Sequence, residues 1–469
     1  LLSFLFLVTT CTFGAQRDFD ASLIDKERLT RSLEKLAREY KIPDYSMALV
    51  YKDSLYFTLN KNKDNAGKNY LIGSCSKSFT ALAVMRLVNE GMIDLDKPVK
   101  QYLPWFQMKN PDYTSLVTVR HLLNHKSGFE RQYGFFDVKT QKISDYEMSF
   151  AAHLKNIDVQ SAPGSAFLYS NLNYVMLGLI VWHVSGQSYS DYLLLNFKSE
   201  IGLQNTFFKY LENRAHNLVE SYLYSIFFRP SRSRDYFYSD FLIPAGYISS
   251  NITDISNYLR FMLNRTVTST GDTILSAESY NLLTGKGHNG YAMGWFRFET
   301  DSVEIITHTG LDENFASSFA LYPELGLGSA ILCNINSLEF CSKVDQEIQN
   351  MILGKPTSAS SVSFEKIMRW GTSLLPLLIL AGLIYNLTRL RKYGACITFI
   401  REVMPNLRLL AGLILSLVLI FGITSAYQMF ITNSIRFQPD IGWGIVMVAV
   451  FGLMSSIARY LGTSAKIHF

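Results

Sequence analysis

The sequence predicts an α/β domain in which one sheet is assembled from both ends of the domain, with an all-α lobe inserted between them. A C-terminal bundle of three transmembrane helices follows. Alternating or β-branched runs stand at Ser46 to Leu59, Val303 to Thr307 and Ser317 to Tyr322, with a short apolar run at Leu327 to Cys333. Apolar positions recur at helical spacing from Leu29 to Tyr40 and from Ser76 to Glu90, where Gly91 stops the helix, and again near Ser342 to Leu353. Strands at both ends with helices between them require distant segments to share one sheet. Three apolar stretches of spanning length then close the chain.

The elements follow in order. Leu1 to Val8 are almost wholly apolar and run into Thr9-Thr10-Cys11-Thr12-Phe13-Gly14-Ala15, so residues 1–15 read as the remnant of a secretory signal, cleaved after Gly14 or Ala15. Acylation at Cys11, the lipoprotein alternative, lacks the small residues expected just before that cysteine. Residues 16–354 form the soluble domain, 355–369 a linker and 370–469 the membrane part. Its spans are 370–387, 409–431 and 441–458, each long enough for a hydrocarbon core of about 30 Å at about 1.5 Å per helical residue. The connector between the first two holds Arg389, Arg391, Lys392, Arg401 and Arg408, and the second connector only Arg436. The positive-inside rule puts that first connector and the C-terminus in the cytoplasm. Everything before Trp370 then lies outside, in the periplasm of a cell whose inner membrane carries the tail.

Composition narrows the function classes. With 469 residues, 48% apolar and 18% charged, the chain buries too much apolar surface to be disordered. From Trp370 onward eight basic residues face two acidic ones, a net +6 that leaves −1 for the rest of the overall +5. The basicity belongs to the tail, so a nucleic-acid partner has no electrostatic basis. Five cysteines, Cys11, Cys75, Cys333, Cys341 and Cys396, are too scattered to make a zinc set. Cys333 and Cys341 are a candidate pair in an oxidising compartment, with two buried free thiols as the equal alternative. No metal and no cofactor is expected.

Chemistry concentrates in Ile72-Gly73-Ser74-Cys75-Ser76-Lys77-Ser78-Phe79. Ser74 and Lys77, three apart at the start of an amphipathic helix, share a face, and the helix start favours developing negative charge. A serine hydroxyl is a poor nucleophile until a base removes its proton, and a partly desolvated lysine can serve. Alone, such a pair is more often a capping serine and a solvated lysine. Two further elements change that balance. Tyr169-Ser170-Asn171 follows Pro163-Gly164 in a loop before a helix, and His308-Thr309-Gly310 follows a strand, its glycine permitting close approach of a substrate backbone. His121 and His125, four apart on an expected helix, have a metal-ligand spacing but no glutamate between them, and a scaffold role is the leading reading. Cys75 reads as a packed side chain. The aromatic cluster Tyr222 to Tyr238, interleaved with Arg229, Arg232 and Arg234, reads as an exposed loop.

In that order the three elements resemble the S-x-x-K, Y-x-N and K/H-T-G motifs of the serine β-lactamase and penicillin-binding superfamily. The similarity is to the branch of class C β-lactamases, DD-peptidases, D-aminopeptidases and related esterases. Thr118 to Gly128, Tyr169 to Tyr174, Pro244-Ala245-Gly246 and Tyr291 to Trp295 are similar as well, and the likeness runs from Leu29 to Leu353. It implies a serine β-lactamase-like fold, an α/β sheet plus an all-α lobe with a cleft between them. It also implies an acyl-enzyme on Ser74, general-base work shared by Lys77 and Tyr169, and an oxyanion hole of the Ser74 and Leu311 backbone N–H groups. Asn171, His308, Thr309 and Gly310 would bind substrate, with Asn171 and His308 holding its amide and its anionic end.

Two departures bear on substrate. His308 stands where dedicated β-lactamases carry lysine, and Asp312-Glu313-Asn314 stands where relatives commonly have glycine. Asn314 is expected to line the pocket and hydrogen-bond a polar substrate side chain, against a plain turn role. With its three spans the chain resembles the colibactin-type membrane peptidases that remove an N-acyl-D-amino acid cap from a non-ribosomal peptide precursor. The expected substrate is therefore a peptide or acyl-peptide, with the membrane and an exporter as further partners. Alternatives are a DD-peptidase-like wall enzyme, an esterase or a weak β-lactamase, and, outside catalysis, a penicillin sensor or silent scaffold.

Overall fold

The computed structural model describes residues 24–131, 133, 143–159, 161–209, 217–225, 227–233, 240–268, 270–301, 303–357 and 363, with scattered positions from 365 to 450. The expected signal remnant, Cys11 and Cys396 lie outside the described residues, as do the whole of the second expected span and most of the first and third. Among the described residues no helix is long and apolar enough to cross a membrane. The chain divides into two compact units, one of residues 17–222 and 232–360, the other of 1–16, 223–231 and 361–469. The segment Leu223–Ser231 thus groups with the C-terminal residues rather than with the domain around it. Within that second unit the Arg369 guanidinium lies 4.1 Å from the Tyr224 ring centroid, and Phe227 N–H donates to Ser373 Oγ at 2.9 Å.

The larger unit is built on a seven-stranded antiparallel sheet. Its order across the sheet is Ser54–Asn60, Tyr45–Tyr51, Leu327–Cys333, Ala316–Tyr322, Val303–Leu311, Trp295–Thr300 and Gly290–Ala292. The first strand of the chain pairs with the last, Tyr45 opposite Cys333 and Tyr51 opposite Leu327. Both ends of the domain therefore enter one sheet, as the strand distribution predicts. The run read as one extended stretch from Ser46 to Leu59 is a hairpin, turned at Lys52 with φ +50°. The edge hairpin of Gly290–Ala292 and Trp295–Thr300 has no clean alternation in sequence to announce it.

Three long helices flank the sheet. Lys26–Glu39 begins at Asp25, whose side chain accepts the Arg28 N–H at 2.9 Å, and it packs on Leu338–Ile352. Ile252–Leu263 packs on the strands Tyr45–Tyr51 and Leu327–Cys333. Gly328, opposite Val50, leaves room for that helix, because a Cβ there would stand 2.8 Å from Val50 Cγ2 and 3.3 Å from Leu263 Cδ1. Cys333 and Cys341 are both free and buried, their sulfurs 4.0 Å apart.

The helical lobe centres on Asn171–Ser185, in which every residue from Leu172 to Val181 is buried. A helix apolar on all sides belongs at a core, and this one is surrounded by Ser76–Asn89, Val119–Leu123 and Tyr189–Ile201. Ser76–Asn89 joins the lobe to the sheet. Phe79 stacks on Tyr258 with ring centroids 4.0 Å apart, and Tyr258 in turn lies against Trp295, all three buried. Burying each such ring contributes roughly 2–3 kcal/mol, so the helix that carries Lys77 is anchored in its first turn.

Candidate active site

The nucleophile candidate sits in a strained approach. Ser74 occupies a single 3-10 turn, Gly73–Cys75, that feeds straight into the helix Ser76–Asn89. Gly73 has φ +50°, and a Cβ there would stand 2.4 Å from Leu311 N and 2.8 Å from Gly310 C. Across the gap a Cβ on Gly310 would fall 2.0 Å from Ile72 O and 2.3 Å from Ser317 Oγ. Two glycines thus let the serine turn press directly on the end of the strand Val303–Leu311. Ser317, opposite Gly310, clamps the contact by donating to Ile72 O at 2.7 Å.

Lys77 lies one turn into the helix and is completely buried. Its Nζ reaches three oxygens: Ser74 Oγ at 3.0 Å, Asn171 Oδ1 at 2.8 Å, and the Ala245 carbonyl. Burial pushes the amine well below its usual value and the positive charge of Arg131 adds to this, against a small opposing effect of Cys75. A neutral amine has two N–H donors and one lone pair. The Ala245 carbonyl and Asn171 Oδ1 can only accept, so they take both donors and leave the lone pair for the Ser74 hydroxyl proton. The Ala245 segment is held in place by Thr80, whose hydroxyl donates to Pro244 O at 2.7 Å.

Tyr169 hydrogen-bonds Ser74, and although that bond and Arg131 pull its phenol down, burial dominates and holds it above the usual value. It is a neutral phenol. Its loop is positioned by His125, which has φ +54°, accepts the Ser170 N–H at Nδ1 (3.2 Å) and receives the Leu168 N–H on its carbonyl (2.7 Å). Asn173 Nδ2 lies 2.9 Å from the same ring nitrogen, and the His125 ring is 4.3 Å from that of Tyr169. The expectation that His121 and His125 share a helix is corrected here, because the helix ends at Leu123. His121 instead closes a capping box with Thr118. Among the described residues no group of His, Cys, Asp or Glu is arranged to hold a metal.

Ser74, Lys77, Tyr169 and Asn171 thus meet at one point, with His308, Thr309, Gly310 and Leu311 along the adjoining strand end. Cys75 points the other way, its thiol against the His308 carbonyl at 3.2 Å and pushed up to about 12 by burial. Asn314 is buried in the turn after the strand. Its N–H donates to Asp312 Oδ1 at 2.8 Å and its side-chain amide to Ser233 Oγ at 3.4 Å. Arg131 is the site residue that sequence reasoning missed, whereas His125, read as scaffold, holds the Tyr169 loop. Nothing in the sequence marks a lone rim arginine, whereas the spacing that suggested metal did at least single out His125.

Comparison with known proteins agrees with this architecture. The beta-lactamase family model matches residues 29–349. Protein flp of Staphylococcus aureus (strain N315) is 26% identical over 382 residues, covering 78% of this chain and 74% of that protein. Penicillin-binding protein 4 of Amycolatopsis lactamdurans is 27% identical over 281 residues, 56% of this chain and 71% of its own length. In fold, the octameric penicillin-binding protein homologue from Pyrococcus abyssi superposes with TM-score 0.62 at 23% identity, covering 71% of this chain and 78% of that one. A class C beta-lactamase superposes with TM-score 0.57 at 18% identity, covering 72% and 99%.

Proposed function

This chain belongs to the beta-lactamase family of serine hydrolases, and from that premise we propose that it is a membrane-anchored, extracytoplasmic peptidase or amidase that cleaves an amide next to a D-amino acid. One observation carries the reading: buried Lys77 Nζ lies within hydrogen-bond reach of Ser74 Oγ, Asn171 Oδ1 and the Ala245 carbonyl together, so that as a neutral base it spends its two N–H donors on the latter two and turns its lone pair to the Ser74 hydroxyl. In this mechanism Lys77 takes the Ser74 proton as Oγ attacks the substrate carbonyl. The backbone N–H groups of Ser74 and Leu311 receive the oxyanion, and the Tyr169 hydroxyl returns a proton to the departing amine. Tyr169 then activates the water that releases the acyl group. Asn171 and the strand Thr309–Gly310 align the substrate backbone.

The three apolar stretches and the basic first connector support the membrane anchorage, with the catalytic domain in the periplasm and the C-terminus in the cytoplasm. An anchor of this kind keeps the catalyst beside an exporter or concentrates an acylated substrate near the cleft, which suits maturation of an exported N-acyl-D-aminoacyl peptide. The likeness to a protein named a penicillin-binding protein favours a second reading, hydrolysis of wall peptides. Matched N-acyl-D- and N-acyl-L-aminoacyl anilides test the first. The D isomers are expected to be cleaved and the L isomers spared, and equal turnover of both would remove the D-amino acid assignment.

A further inference from the structure

His308 does not present the chemistry of an anion-binding side chain. It is 2% exposed, and its Nδ1 lies 2.7 Å from the carbonyl oxygen of Thr309. A carbonyl can only accept, so Nδ1 carries the proton. In the neutral ring the other nitrogen, Nε2, is then a bare lone pair. Among the described residues Nε2 is buried and has no hydrogen-bond partner. Around the ring stand Phe296, Tyr291 and Tyr169, with centroids 5.6, 5.8 and 6.4 Å away. Burial holds the imidazole down at about 3, and any positive charge on Lys77 acts in the same direction, so the ring is neutral across the working range.

We propose that the group a substrate seats beside His308 is a hydrogen-bond donor, a peptide N–H or primary carboxamide, and that the site discriminates against a free carboxylate there. The inference rests on the serine-hydrolase reading and narrows its substrate class. A carboxylate set against Nε2 opposes lone pair to lone pair and leaves both groups desolvated without a donor, whereas an amide N–H satisfies an acceptor that is otherwise orphaned. Tyr291 and Phe296, both half-buried on the edge hairpin, stand beside the His308 ring, and the packing around Nε2 has to yield slightly for the contact. The substrate chain would thus continue past the scissile bond, or end amidated, instead of stopping at a C-terminal carboxylate.

The test is a matched pair of N-acyl-D-alanyl thioesters, one with a thioglycolate leaving group and one with its primary amide, followed by thiol release and by the mass of acylated Ser74. The parent enzyme is expected to favour the amide in kcat/KM by about tenfold or more, since an unmet buried acceptor costs that much. His308→Lys replaces the lone pair with a cation and should reverse the preference, and His308→Gln, which offers both donor and acceptor, should bring it near unity. Preference for the carboxylate in the parent, or a ratio unmoved by a folded variant, overturns the proposal. Imidazole nitrogen NMR of the parent supplies a readout independent of turnover: Nδ1 protonated supports it, and Nε2 protonated overturns it. Failure of both thioesters to acylate Ser74 would instead overturn the serine-hydrolase reading beneath it.

Discussion

Replacing Gly310 by alanine tests how closely the nucleophile turn and the strand end must approach. The added Cβ would lie 2.0 Å from the Ile72 carbonyl and 2.3 Å from Ser317 Oγ, where side-chain contacts do not fall below 3.0 Å. One backbone must therefore retreat by about 1 Å, because Ile72 O is main chain with no rotamer to escape into. The opposing surface is nearly as tight, since a Cβ on Gly73 would stand 2.4 Å from Leu311 N. The displacement falls on the two N–H groups proposed for the oxyanion. A misplacement of about 1 Å costs about 100-fold in rate, comparable to loss of one oxyanion donor and equivalent to about 2.7 kcal/mol of barrier. Stopped-flow acylation by a fluorescent penicillin, with near-ultraviolet circular dichroism to verify folding, reads this directly. Ser317→Ala, which removes the clamp without adding bulk, should cost only about tenfold. A folded Gly310→Ala enzyme acylating within about threefold of the parent would refute the argument from close approach.

Four further outcomes follow from the site. Lys77 acts as a base only when unprotonated, so acylation should fall tenfold per pH unit below its depressed value. Arg131→Ala removes a charge that depresses it and should move this acid limb to higher pH, an effect weakened by salt because Arg131 is exposed. A limb that stays in place would contradict it. The same depression makes the unfolded chain bind a proton the folded one lacks between the folded value and about 10.4, so this group's contribution to stability rises with pH across that window, as urea midpoints can show. His125→Ala removes the acceptor for the Ser170 N–H; it should lower stability by roughly 1–3 kcal/mol and depress kcat more than it raises KM, and the opposite split would argue against a positioning role. Asn314→Gly should weaken selectivity for polar over apolar D-aminoacyl substrates, measured as a ratio of kcat/KM, whereas unchanged selectivity leaves Asn314 a turn residue.

Much of this arrangement is legible in the chain because its signals are periodic or local. Alternation marks the strands at both ends, and helical spacing of apolar positions marks the helices found at Lys26–Glu39 and Ser76–Asn89. Ser74 and Lys77 share a helix turn, so spacing alone placed them together. Tyr169, His308 and Gly310 became visible only through resemblance, since nothing local says that a loop 92 positions after Lys77 returns to it. Features set by tertiary contacts stayed hidden. The Ala245 carbonyl acts through backbone, which no side-chain motif reveals. The rotation of His125 to positive φ and the tautomer of His308 depend on which carbonyl or N–H each meets in the folded chain.

The most direct measurement is the site of covalent modification. Full-length protein treated with a penicillin or a fluorophosphonate should gain one adduct, mapping by tandem mass spectrometry to the peptide holding Ser74 and absent from Ser74→Ala. An adduct retained by Ser74→Ala, or mapped to any other residue, would contradict the account.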